Sequence, residues 1–185
     1  DQSKATTNAE VTMNGDYNTA YFTRGQVIND GTFDLRSQND LKAQALDPTH
    51  TAIGYGNLGI VSANTDEKWA SINRGTITTG LSDTINMEYS AAMAAGRNKY
   101  EVDSEGKTVF KEVLDEGNIV NEGNIIVQEN GGIGMFATGK HSKAVNKGNI
   151  TLVGKNSVGM YLDREAQGEN YGTIKGNAEN LKGVV

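Results

Sequence analysis

"GKHSKAVNKGNITLVGKNSVGMYLDREAQGENYGTI", residues 139–174, states one pattern twice. Asn-x-Gly-x-Ile begins at Asn146 and again at Asn170, with an apolar segment and a short polar turn between. The unit also occurs as Asn121-Glu122-Gly123-Asn124-Ile125, Asn73-Arg74-Gly75-Thr76-Ile77 and Asn29-Asp30-Gly31-Thr32-Phe33. Successive asparagines at the C-terminal end lie 25 and 24 positions apart. The step from Asn73 to Asn121 is 48, which is two periods or one period with an insertion. A second marker, Gly134-Met135-Phe136, returns as Gly159-Met160-Tyr161.

Inside each period the apolar residues alternate with polar ones: Ile150 and Leu152, then Val158, Met160 and Leu162. Period-two alternation in segments this short predicts strands. Asn-x-Gly between strands reads as turn chemistry, since both residues tolerate positive φ. A unit of about 24 residues with two or three strands and no helical pattern cannot bury its apolar face alone, so copies must stack. Stacking superimposes Ile on Ile and Asn on Asn every ~4.8 Å. The expected fold is therefore all-β, a parallel β-helix with about 24-residue turns and loop insertions. About six turns give an axis near 30 Å, with Phe33, Ile77, Ile125, Ile150 and Ile174 in one internal file. Leucine-rich repeats share the period, but their L-x-x-L-x-L core is missing; calcium-binding nonapeptides need an Asp where Met135 follows Gly134.

One domain is read over 1–185, with clear repeats at 117–185, interrupted repeats at 20–96 and an excursion at 97–116. The excursion, "RNKYEVDSEGKTVFKEVLDE", is too charged and too long for a turn. It reads as a hairpin about Ser104-Glu105-Gly106, with a short helix as the other option. Smaller bulges are expected at 36–49 and 64–68. The ending Gly183-Val184 looks like the start of a further Gly159-Met160 unit, which suggests a piece of something longer.

Net charge is −6, with no Cys, 23 Gly and 36% hydrophobic residues. An acidic chain without a Lys/Arg cluster argues against nucleic-acid and anionic-membrane partners. Lack of Cys excludes disulfides and thiolate metal sites, but not secretion. No signal-peptide core and no run of about 18 apolar residues occurs.

The pairing of Asn146-Lys147-Gly148-Asn149-Ile150 with Ser157-Val158-Gly159-Met160-Tyr161, and their copies at Asn121 and Gly134, resembles the passenger regions of fusobacterial-type autotransporter adhesins, type V secreted surface proteins. The resemblance is clearest over 121–185. It implies a right-handed β-helix passenger, a C-terminal membrane barrel not contained in this chain, and adhesion to host or bacterial cell-surface glycan or protein. The implied location is the cell surface, outer-membrane-anchored or secreted; a monomer is expected. Trimeric-autotransporter heads, superficially suggested by "TAIGYGN" and "NSVGM", repeat about every 14 residues and do not fit.

Candidate chemistry is sparse. Gly54-Tyr55-Gly56-Asn57-Leu58-Gly59 satisfies G-x-G-x-x-G, and Gly132 to Ala137 its Ala variant, yet neither opens a helix after a strand. His50 and His141, the two histidines, lack an i, i+4 partner, and Ser142 has no nucleophile elbow. Asp163, Arg164 and Glu165 carry the enzyme alternative, a polysaccharide lyase or hydrolase on the same fold; they follow Leu162 in the turn region of a unit, and a solvated corner is the preferred reading. Glu101, Asp103 and Glu105 at strand spacing do not form an EF-hand. No catalytic, cofactor or metal residue is therefore expected, and no enzyme.

Tyr55, Tyr100, Tyr171 and Trp69 are the aromatics suited to holding sugars or protein partners. Specificity needs residues that break the repeat. Lys99, Tyr100, Glu101, Lys107 and Phe110 of the excursion, with Trp69, are the expected partner contacts. A spacer stalk is the remaining alternative.

Overall fold

The computed structural model describes residues 2–13, 15–36, 55–84 and 88–185. Among them, three parallel six-stranded sheets wind around one core. The first sheet contains Lys4–Thr7, Gln26–Asn29, Ser71–Asn73, Asn118–Asn121, Lys143–Asn146 and Gln167–Asn170. The second contains Glu10–Thr12, Thr32–Asp34, Thr76–Thr78, Asn124–Val127, Asn149–Leu152 and Thr173–Gly176. The third contains Thr19–Thr23, Leu58–Ser62, Ala91–Ala95, Ile133–Thr138, Val158–Asp163 and Lys182–Val184. Each coil contributes one strand to each sheet in turn, so the molecule is a parallel β-helix. Helix among the described residues is confined to the 3-10 turn Glu67–Trp69.

The register stacks like on like. Phe33 pairs with Ile77, Ile77 with Ile125, Ile125 with Ile150 and Ile150 with Ile174. All but Ile174 are fully buried; Ile174, in the last described coil, is half-buried. Ile60, Met93, Met135 and Met160 form the matching file of the third sheet. Burying each such side chain contributes roughly 1.5–3 kcal/mol, and only the stack provides the burial.

Asn121 sits beside Asn73 and Asn146 in neighbouring strands, so the 48-residue step is one period with an insertion. The asparagines form a ladder inside the coil. Asn29 Nδ2 donates to Asn73 Oδ1 at 2.9 Å, Asn73 to Asn121 and Asn121 to Asn146 at 2.8 Å, and Asn146 to Asn170 at 2.7 Å. The Asn73 carbonyl also accepts from both corner amides of the next coil, Glu122 and Gly123. Each asparagine thus holds its own corner and the corner above it.

Positive φ is not the reason for glycine at this corner. Gly31, Gly75, Gly123, Gly148 and Gly172 have ordinary φ; a Cβ on any of them runs into the backbone of the coil beneath, for Gly148 the Gly123 carbonyl. Left-handed backbone lies instead at the other two corners: between the second and third sheets at Gly131, Asn156 and Asn180, where Asn180 donates to Asn156 Oδ1 at 3.1 Å, and between the third and first at Gly96, Gly139, Arg164 and Glu165.

Strands at Lys4–Thr7 and Glu10–Thr12 carry the coil N-terminal of residue 20. Thr7 occupies the Asn position and Ala9 the Gly position there, which erases the motif. The corner from the first sheet to the second stays two residues long, while the other two corners take the insertions. Residues 64–68 form one of these, with Glu67–Trp69; 37–49, His50 and Gly54 lie outside the described residues.

Candidate partner-binding surface

The excursion is a hairpin of Arg97–Val102 and Thr108–Leu114, antiparallel, with strands where a short helix was the other option. Asp103 closes it: Gly106 N–H donates to its carbonyl at 3.0 Å, and its Oδ1 accepts from the Glu105 and Lys107 amides at 2.9 Å. Gly106 at φ 78 supplies the left-handed residue. A bulge between Lys99 and Tyr100 leaves Lys111 without a partner in the ladder and sets Tyr100 opposite Phe110.

The hairpin does not project freely from the coil. It leaves after Ala95 and lies against the corners of the next two coils. Asn98 accepts from Thr138 Oγ1 at 2.7 Å and donates to Asp163 Oδ2 at 2.9 Å. The Arg164 guanidinium lies 3.4 Å from the centre of the Phe110 ring. At the root, Asp115 pairs with Arg97 at 2.8 Å and Arg24 at 3.4 Å.

Strand alternation therefore divides the expected contact residues. Tyr100 and Phe110, packed edge to face at 6.1 Å, share the side that carries Asn98 and meets the coil. Lys99 and Glu101 lie on the opposite side, in an ion lattice with Glu112 and Lys111 at 3.3–3.4 Å. Hydrogen bonds donated to Glu112 and then to Glu101 raise the Lys99 pKa; the bond from Lys111 lowers that of Glu101. Lys107 stands at the tip, beside Glu105. Val102 and Val109 near the tip are exposed, Val102 by 69%.

Trp69 ends the 3-10 turn whose Asp66 carboxylate caps Lys68 N–H at 3.0 Å. It is half-buried at the same corner as the hairpin, one coil earlier, where the later coils place buried Ser142 and partly buried Ala166. Beside it runs a shallow groove floored by Asn118, Val120 and Val145, and crossed by Lys143, which pairs with Glu169 at 3.0 Å and Glu67 at 3.4 Å. Tyr171 borders the groove and donates to Glu169 at 3.0 Å, which raises its own pKa. Alternation of charge and apolar residues on outward strand faces was the signal for this groove. Sequence reasoning missed it because no position stands out alone.

Of the residues that carry the enzyme alternative, Asp163 and Arg164 are engaged and Glu165 is exposed; Asp103, weighed for calcium, is engaged as well. Asp163 holds Asn98, Arg164 covers Phe110, and Asp103 closes the hairpin turn. Gly56, at φ 65, precedes a strand rather than a helix, and Gly59 and Gly134 lie within strands. His141 is exposed, its backbone amide donating to Glu116 at 3.0 Å. Among the described residues no group of three or more His, Asp or Glu could hold a metal ion, and no helix is long and apolar enough to cross a membrane.

The stacked sheets and the corner hairpin define a parallel β-helix domain of the pectate lyase-like kind. Residues 44–173 match the BigA third pectate lyase-like domain, and the chain belongs to that family. No curated protein and no solved structure matches it.

Proposed function

We propose that this domain is a surface-displayed segment of an autotransporter passenger of the fusobacterial adhesin type. It contacts a cell-surface glycan or protein through its hairpin and catalyses no reaction. The family match and the all-parallel coil support the passenger reading. The observation that carries the contact surface is the hairpin itself. Inward coil side chains are spent on stacking, whereas the hairpin presents Lys99, Glu101, Lys111 and Glu112 outward and Lys107 at its tip. Outer-membrane anchoring through a barrel elsewhere in the protein, and a monomeric state, complete the proposal.

The test is attachment of the fluorescently labelled domain to bacterial and epithelial cells. Reversing the lattice with Lys99→Glu and Lys111→Glu is expected to reduce attachment at least tenfold with unchanged circular dichroism. Reproducible product release from a polysaccharide, abolished by Asp163→Ala, would replace the adhesive reading with the enzymatic one. Absence of attachment to every cell type would leave a spacer.

A further inference from the structure

Arg164 opens a corner of three residues, 164–166, one shorter than the 139–142 corner of the previous coil, and Ala166 N–H closes it by donating to the Asp163 carbonyl at 3.1 Å. Arg164 follows Asp163, which pairs with Thr138 of the previous coil, so Arg164 falls where that coil has Gly139. Gly139 turns the corner at φ 95, a left-handed backbone that glycine adopts without cost. Arg164 turns it at φ 50 and Glu165 follows at φ 66, so two consecutive side-chain-bearing residues are left-handed. Arg164 Nε is also buried without a hydrogen-bond partner, its approach to Asp163 Oδ2 being 3.5 Å. Strained backbone and an unpaired buried nitrogen both oppose folding. The closing turn bond offsets the backbone cost, and the contact the side chain gains is the guanidinium face on Phe110, a geometry that favours Arg over Lys.

We propose that Arg164 is a positioning residue that latches the hairpin along the coil, so that the partner meets a rigid arm rather than a mobile loop. Two points of attachment are needed to fix the direction of a two-stranded ribbon. Asn98 provides one near the root, through Thr138 and Asp163. Arg164 provides the second farther out, at the Tyr100–Phe110 pair. The free portion is then the tip, from Val102 to Val109, and the outer ion lattice. Ordering this arm before contact removes part of the entropy cost of binding. Only the attachment arm of the test rests on the proposed adhesive function; the latch is measured without a ligand.

The decisive variant is Arg164→Gly, which relaxes the corner and deletes the guanidinium together. Amide hydrogen exchange should accelerate about tenfold in 98–102 and 108–113, as expected for loss of a partly desolvated cation–π contact. The central coil strands should keep their protection, and thermal stability should stay level or rise. In the parent protein the Arg164 side-chain protons should resonate upfield, under the Phe110 ring, and Phe110→Leu should abolish that shift and reproduce the exchange pattern. Unchanged hairpin exchange in Arg164→Gly overturns the latch. Faster exchange with undiminished cell attachment keeps the latch and removes the hairpin from the adhesive surface. Unchanged exchange with lost attachment makes Arg164 itself a partner contact and again overturns the latch.

Discussion

Replacing Asn121 by Ala removes the middle of the asparagine ladder, and its cost can be worked from the bonds present. Asn121 is fully buried. Its Oδ1 accepts from Asn73 Nδ2 at 2.8 Å, and its Nδ2 donates to Asn146 Oδ1 at 2.8 Å and to the Gly123 carbonyl at 3.3 Å. Two good bonds at about 1 kcal/mol each are lost, and Asn146 Oδ1 loses its ladder donor at a further ~1–3 kcal/mol. Asn73 Nδ2 keeps the Gly75 and Asn124 carbonyls, which limits the damage on that side. The sum is about 3–5 kcal/mol, a large part of the 5–15 kcal/mol typical of a domain. Asn170→Ala removes the same residue type where it is exposed and accepts from Asn146 alone, and should cost under about 1 kcal/mol because water replaces the bond. Urea titrations of both variants measure the difference. Equal losses at 121 and 170 would refute the argument that buried amide pairing, rather than asparagine as such, holds the corner. Asn121→Asp adds a pH test: a buried carboxyl without a cation has a raised folded pKa, so this variant should lose stability as pH rises above about 4, whereas Asn121→Ala should not.

Ile150→Ala, fully buried between Ile125 and Ile174, should cost about 2–5 kcal/mol by calorimetry or urea melt, and half-buried Ile174→Ala clearly less. Gly148→Ala drives a Cβ into the Gly123 carbonyl and should destabilise by at least ~1–3 kcal/mol, visible as a lower Tm; a neutral result would show that the corners can spread. Acidification should weaken the fold through Asp34 and Glu169, whose pKa values are lowered by hydrogen bonds from Arg36 and Lys143. Stability from such depressed carboxylates is present above the unfolded value near 4 and lost as pH falls through the folded one, so Asp34→Asn should flatten the acid limb of a Tm–pH profile.

The coil was legible because stacking forces identical chemistry at fixed spacing. Asn and Ile recur where the ladder and the central file need them, and alternation marks the strands. The first coil was not legible, since Thr7 and Ala9 stand where the motif has Asn and Gly. The role of the corner glycines was misread for a physical reason: local turn preference suggests φ, while the constraint is the backbone of the coil beneath. Composition and spacing marked the hairpin and its turn, but its direction depends on Thr138, Asp163 and Arg164, which lie 40, 65 and 54 positions from Asn98 or Phe110 and share no local pattern with them. Trp69 stands four residues before Asn73, as Ser142 stands before Asn146 and Ala166 before Asn170, and its half-buried setting leaves it between packing and contact.

The division between stacked scaffold and contacting hairpin is tested most directly by replacing 98–114 with a short Gly-Ser turn and measuring cell attachment beside the parent protein, with melting followed on both. The account predicts retained β-rich circular dichroism, a modest fall in Tm from loss of the Asn98 and Phe110 contacts, and attachment reduced to background. Full attachment by the shortened protein would contradict it, as would collapse of the coil, which would make the hairpin part of the scaffold.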